Sequence, residues 1–163
     1  MSQRIPITQR GYDALKEELK RLKTRERPAA VEAIRVAREH GDFSENAEYD
    51  AAKENQGHIE GRISTFEGRL ARAEVVDTAS LPLDRVRFGH TVVLEDVESG
   101  DEVAYTLVGE DEADIAQGLL SVTSPVGRAL LGKEVDDEVS VTVPAGTRVY
   151  EVREIRREVL TGA

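Results

Sequence analysis

The sequence predicts an α+β chain. An N-terminal antiparallel coiled-coil helical hairpin, residues 1–78, precedes a small antiparallel-sheet domain, residues 79–163. Three observations predict this. Apolar residues recur every three or four positions through the first half. That pattern breaks for only a few residues at Gly41 and restarts at once. Beyond Thr78 it gives way to short strand-like runs separated by Gly- and Pro-containing turns.

Each element has its own warrant. Thr8 is placed to cap the first helix. Tyr12, Leu15, Leu19 and Leu22 step by three and four, which puts them on one face. Pro28 marks a kink or a local break. Past it two registers are open, one through Val31, Ile34 and Ala37, the other through Ala29, Ala33 and Val36. After the break, Tyr49, Ala52, Gln56, Ile59, Ile63, Phe66, Leu70 and Ala73 keep an alternating three-four spacing. Such a seam calls for a partner helix. The tight link at 41–44 supplies one by forcing the two helices antiparallel. A helix of about thirty residues makes a rod of roughly 45 Å. Its seam weakens toward the link, where Ala52 and Gln56 replace large apolar residues. That end is either a probe for a confined space or simply the polar end of a helix.

In the second half, "SLPLDR" reads as a linker. "TVVLEDV" and "VAYTLVG" flank "ESGDE" as a hairpin, and "GLLSV" is a further short strand. "SPVGRALLGK" describes a short helix with Ser124 as N-cap, Pro125 in the first turn and Gly132 as the stop. "EVSVTV" and "RVYEVREI" form a second hairpin around "PAGT".

Composition narrows the function classes. Charged residues are 33% and aromatics 4%, natural for a chain with a large coiled-coil part. There is no cysteine, hence no disulfide, thiolate metal site or thiol nucleophile. The N-terminus carries no apolar stretch of the secretory kind, and no run approaches the ~20 apolar residues of a membrane span. The expectation is a cytoplasmic protein with no membrane partner. The net charge of −10 argues against a free nucleic-acid binder. Residues 1–78 hold 14 Lys and Arg against 15 Asp and Glu, whereas residues 79–163 hold 8 against 17. The first half is therefore the better placed for any contact with nucleic acid, and something else must supply most of the affinity.

The break itself, "REHGDFSENAEYD", carries the chemistry. Asp42 and Glu45 have the Asp-x-x-Glu spacing of a capping box, and Ser44 is a rival cap. The same two carboxylates on one exposed turn can also supply part of the shell of a magnesium ion, whose octahedron water and substrate phosphate complete. Such a site is incomplete and needs a partner's ligands. Phe43, exposed between the acids, fills a hydrophobic spot on a partner or folds back on the hairpin. Arg38 and Lys53 flank the break on opposite helices, as solvated faces or as phosphate contacts. "GEDEAD", with its four acids, lacks the spacing of a calcium loop and reads as a solvated acidic loop. His40, His58 and His90 lack zinc-ligand spacing. No Gly-x-Ser-x-Gly elbow or GxxxxGK[ST] loop is present.

"GDFSENAEYDAAKENQ" resembles the tip-and-return-helix signature of the Gre transcript-cleavage factors, a transcription elongation family. "GEDEAD", "SPVGRALLGKEVDDEV" and "VPAGTRVYEV" resemble that family's second domain in the same order. The likeness covers essentially the whole chain, and its pattern is GreA-like. It implies a coiled-coil hairpin followed by an FKBP-like domain. It further implies that the globular domain docks on the rim of the bacterial RNA polymerase secondary channel, through the region of Ser124 and Pro125. The hairpin would enter the channel. Asp42 and Glu45 would help hold the second catalytic Mg2+ and its attacking water. Arg38 and Lys53 would lie toward the nascent RNA 3′ segment. On this reading the chain rescues backtracked polymerase by stimulating the polymerase's own RNA cleavage and is not an enzyme by itself. Phe43 departs from the family's usual leucine conservatively. The alternatives are a Gre-fold inhibitor that plugs the channel without cleavage, and a coiled-coil chaperone or prolyl isomerase. Phe88, Tyr105 and Tyr150 are too few aromatics to line an isomerase pocket.

Overall fold

A computed structural model describes residues 3–40 and 46–157. The chain divides into two compact units. One is Tyr12–Ala73, and the other joins Arg4–Gly11 to the chain from Glu74 onward. The short first strand β1 (Ile5–Ile7) thus clusters with the second unit, although the sequence reading grouped it with the hairpin.

The first unit is built on α1 (Gln9–Arg21), α2 (Arg27–Glu39) and α3 (Ala47–Arg72). Thr8 caps α1 as expected, its Oγ1 accepting from Gly11 N at 3.0 Å. Between α1 and α2 the helix does not stop. It widens into one π turn, Leu22–Glu26, where Arg27 N donates to Leu22 O five residues back. Pro28 supplies the cause. It has no N–H to give, and its ring crowds the carbonyl four residues earlier, that of Thr24.

The π turn settles the register. Carried on from Leu22 at a uniform helical period, the seam would run through Ala29, Ala33 and Val36. One extra residue in the turn moves it on by one. Ala30, Ile34 and Ala37 are buried, while Val31 is 53% and Val36 41% exposed. Ile34 and Ala37 of the first predicted register are therefore on the seam, but Ala30 stands where Val31 was expected. Along α3, and at Ala73 just beyond its end, all eight predicted seam positions are buried or half-buried. Leu22, Ala30, Ile59 and Ile63 form the core, flanked by Leu19 and Phe66. Lys23–Glu67 (3.0 Å), Arg27–Glu60 (2.8 Å) and His40–Glu48 (3.1 Å) link the helices. Numbers rise on one helix as they fall on the other, which makes the pair antiparallel.

The second unit holds a five-stranded sheet in the order β5-β4-β3-β7-β6. Its strands are β3 (His90–Asp96), β4 (Glu102–Val108), β5 (Leu119–Ser121), β6 (Glu138–Val143) and β7 (Gly146–Arg157). Both predicted hairpins form, β3–β4 and β6–β7. The sheet is mixed rather than wholly antiparallel, because β5 runs parallel to β4. Two short 3-10 turns, Glu110–Glu112 and Ile115–Gln117, carry the chain back before β5 begins. A separate pair is formed by β1 and β2 (Ala73–Val75).

Strand β3 alternates buried and half-buried residues, and its Val92 and Leu94 meet Leu107, Val139, Val141, Val152 and Ile155 in one core. Helix α4 (Pro125–Leu130) adds Leu130 to that core. Ser124 is its N-cap, with Oγ accepting from Gly127 N at 3.0 Å. Gly127 is required by closeness, since a Cβ there would stand 2.2 Å from Ser121 O.

"GEDEAD" is not wholly a solvated loop. The Glu112 carboxylate turns inward and accepts from Gly109 N (2.8 Å), Thr8 N (3.1 Å) and the Thr8 hydroxyl. A loop acid thereby fastens the end of β1, with backbone donors satisfying its charge.

Candidate functional site

The candidate site lies where α2 ends and α3 begins. Asp42, Phe43, Ser44 and Glu45 lie outside the described residues. Helix α3 begins at Ala47 with Asn46 as its N-cap, so neither Asp42 nor Ser44 caps it. Asn46 Oδ1 accepts from Tyr49 N at 2.9 Å. Its Nδ2 donates to Ala37 O, in the last turns of α2, at 2.8 Å. One amide therefore satisfies an orphan donor of one helix and a carbonyl of the other. Glu48 and Asp50 occupy the first turn of α3, where the helix dipole favours acids.

Arg38 and Lys53 come together. They line one hollow of about 370 Å³ on the hairpin, along with Val31, Ile34, Arg35 and Gln56. Arg38 also holds its guanidinium 6.0 Å from the centre of the Tyr49 ring on α3. The other cation in the hollow is spoken for. Arg35 is hydrogen-bonded to Glu32 and Glu39, and the Glu32 carboxylate raises the guanidinium pKa while falling below its own usual value. Among the described residues neither Arg38 nor Lys53 has a carboxylate within ion-pair distance. The hollow thus offers two cations over an apolar floor of Val31 and Ile34, suited to a phosphate-bearing chain.

Ser124 and Pro125 sit at the start of α4 in the second unit. The Ser124 hydroxyl is committed locally, since it also donates to Ser121 O at 2.6 Å. Pro125 is exposed.

Sequence reasoning missed Asn46 and Gln56. A signal for Asn46 existed, because asparagine is among the strongest N-cap residues and it immediately precedes the periodic run. Gln56 was read only as a weak seam position. Its place beside Lys53 shows why the seam is polar there: it borders the hollow.

Two family models cover the chain. That of the transcription elongation factor N-terminal domain matches residues 5–75. That of the GreA/GreB C-terminal domain matches residues 81–157. The transcription elongation factor GreA of Trichlorobacter lovleyi is 58% identical over 97% of this chain and all of its own length. That of Hyphomonas neptunium is 58% identical over 92% of this chain and 96% of its own. The crystal structure of the GreA factor homolog Gfh1 from Thermus thermophilus is 31% identical. It covers 94% of this chain and 99% of its own, with a TM-score of 0.44. No helix among the described residues is long and apolar enough to cross a membrane. With both domain models matched in order and relatives above half identity over nearly their full length, the chain belongs to the GreA/GreB family of transcription elongation factors.

Proposed function

We propose that this protein rescues backtracked bacterial RNA polymerase by stimulating the polymerase's own cleavage of the RNA 3′ end. The observation that carries this reading is the convergence of Arg38 and Lys53 in one hollow on the hairpin, on the two helices that segment 41–45 joins. Cations for an RNA backbone and carboxylates for a metal belong to the same end of one rod. Helix α3 alone, at 26 residues, is about 39 Å long. In this reading the hairpin end enters the polymerase secondary channel, and Ser124 and Pro125 meet the channel rim.

The donor set fits magnesium as a shared ion. Asp42 and Glu45 are hard oxygen ligands, and two carboxylates cannot fill an octahedron. Polymerase groups, water and RNA phosphate complete it. When bound, the ion supplies an activated water and stabilises charge on the phosphodiester. This chain supplies the two carboxylates, orients RNA through Arg38 and Lys53, and keeps both on one stiff helix pair. It performs no chemistry alone.

Stalled elongation complexes should release short 3′ RNA fragments faster when this protein is added. Asp42→Asn and Glu45→Gln should each reduce that stimulation by at least about 10–100-fold, as loss of a metal-site group does. Polymerase binding and thermal stability should stay near those of the unaltered protein. Slower nucleotide addition with no cleavage would replace this reading with that of an inhibitor.

A further inference from the structure

We infer that Asn46 is a positioning residue for the cleavage reaction, through a tie between the two helices that segment 41–45 joins. The inference rests on the proposed function and deepens it. Its side chain makes two bonds of different kinds. Oδ1 receives Tyr49 N and starts α3; Nδ2 reaches back nine residues to Ala37 O. An ordinary N-cap needs only the first. The second crosses between helices, and Asn46 directly follows Glu45 in the chain.

The need for such a tie follows from the seam. The large side chains clustered in its core, Leu22, Ile59 and Ile63, lie away from the break, and Ile34 is the large buried residue of α2 nearest to it. Nearer the break the packing falls to Ala37 and Ala52, with Tyr49 half-buried. Small residues give little dispersion energy to fix the spacing of two helix ends. Of the other links at that end, His40 to Glu48 joins two exposed side chains in high dielectric, and the Arg38 guanidinium stands 6.0 Å from the Tyr49 ring. The Asn46 amide is half-buried and its Nδ2 bond ends on backbone, which cannot swing away. It therefore fixes the separation of the α2 and α3 ends, the two points from which the proposed ligands Asp42 and Glu45 are carried.

The two bonds can be separated. Asn46→Ser keeps a good N-cap, and serine is too short to reach Ala37 O. Because the chain has no cysteine, spin labels can be placed at Glu39 and Asp50 by two Cys substitutions. In the free protein, Asn46→Ser should broaden the distance distribution between the labels. In stalled complexes at saturating factor, it should lower the cleavage rate on the order of tenfold or more. It should also raise the magnesium concentration at half-maximal rate. A residue that only stabilised the hairpin would lose affinity or melting temperature, recover at saturation, and leave the magnesium midpoint alone. An unchanged label distribution, or full cleavage at saturation with an unchanged midpoint, overturns the inference while the proposed function stands. If the unaltered protein fails to stimulate cleavage, the proposed function falls and takes the catalytic part of the inference with it. The label distances still report on the tie itself.

Discussion

The hairpin and the sheet unit are held together by different means. The sheet gathers ten buried residues into one core, with Val92, Leu94, Leu107, Leu130 and Val152 fully enclosed. The hairpin core is a line of four buried residues, one of them alanine, bordered by exposed ion pairs. A helix pair has only one seam to bury, whereas a sheet with a helix packed on it encloses a volume. The hairpin gives up burial for reach, and its free surface is where the cations of the candidate site lie.

The sharpest way to break this comparison is to empty each core in turn. Leu94→Ala and Ile63→Ala should each cost about 2–5 kcal/mol. Hydrogen exchange should show the Leu94 loss across all five strands. The Ile63 loss should be confined to α2 and α3. If Ile63→Ala instead exposes the strands as readily as the helices, the two units fold as one and the comparison fails.

An intermediate effect concerns Ser124→Ala. It removes a cap and should cost about 0.5–2 kcal/mol in the sheet unit. Chemical denaturation read by α4 exchange would detect it, and the hairpin should be unaffected.

A smaller effect separates the units by pH. His90 is fully buried, with Nδ1 accepting from Arg87 N at 3.1 Å. Desolvation holds its pKa below the ordinary value, although a backbone hydrogen bond opposes this. The unfolded chain then binds a proton before the folded one does. Stability of the sheet unit should fall as pH drops below about 6.5 and level off at the lowered folded value. Asp96 acts further down. The Glu98 and Ser99 amides and Arg148 depress its pKa, so its contribution is present above about pH 4 and is lost as pH falls through the folded value. His90→Asn keeps an acceptor for Arg87 N and cannot titrate. Its melting temperature should lose the dependence between pH 7 and 5, and a slope equal to that of the unaltered protein would remove His90 from the account.

The least effect is expected at the Arg27–Glu60 pair. It is bidentate and crosses the hairpin, but both partners stand in solvent. Arg27→Gln should barely move the hairpin's melting temperature, and less still in high salt. A large shift would mean that ion pairs, rather than the seam, set the strength of the hairpin.

The sequence foretold most of this architecture because its signals are local. Period, caps and turn residues act within a few positions, so Thr8, Ser124, the α3 seam and both hairpins were readable. What escaped depended on contacts between distant segments. The inward turn of Glu112 needs Thr8, 104 positions away. The parallel edge strand β5 has no local mark that separates it from an antiparallel one. The second bond of Asn46 needs the far helix, and so does the meeting of Arg38 with Lys53. The seam beyond Pro28 could not be phased from either side, because the phase is set by a single widened turn. The two carboxylates proposed as metal ligands could be picked out from local spacing alone. The side chain that ties their supporting helices together was not.

That widened turn has a consequence for how the chain tolerates changes in length. Deleting one residue between Lys23 and Glu26 would let a plain α-helix run from α1 into α2 and would leave Ala30, Ile34 and Ala37 on the seam. Closing the turn to plain α-helix with every residue kept would instead rotate everything beyond by about 100°. Ala30, Ile34 and Ala37 would then swing off α3, and Arg38 would leave the side it shares with Lys53. The widened turn works as a phase setting: it absorbs one residue, so that a single-codon deletion there should spare the facing of the far end of the rod.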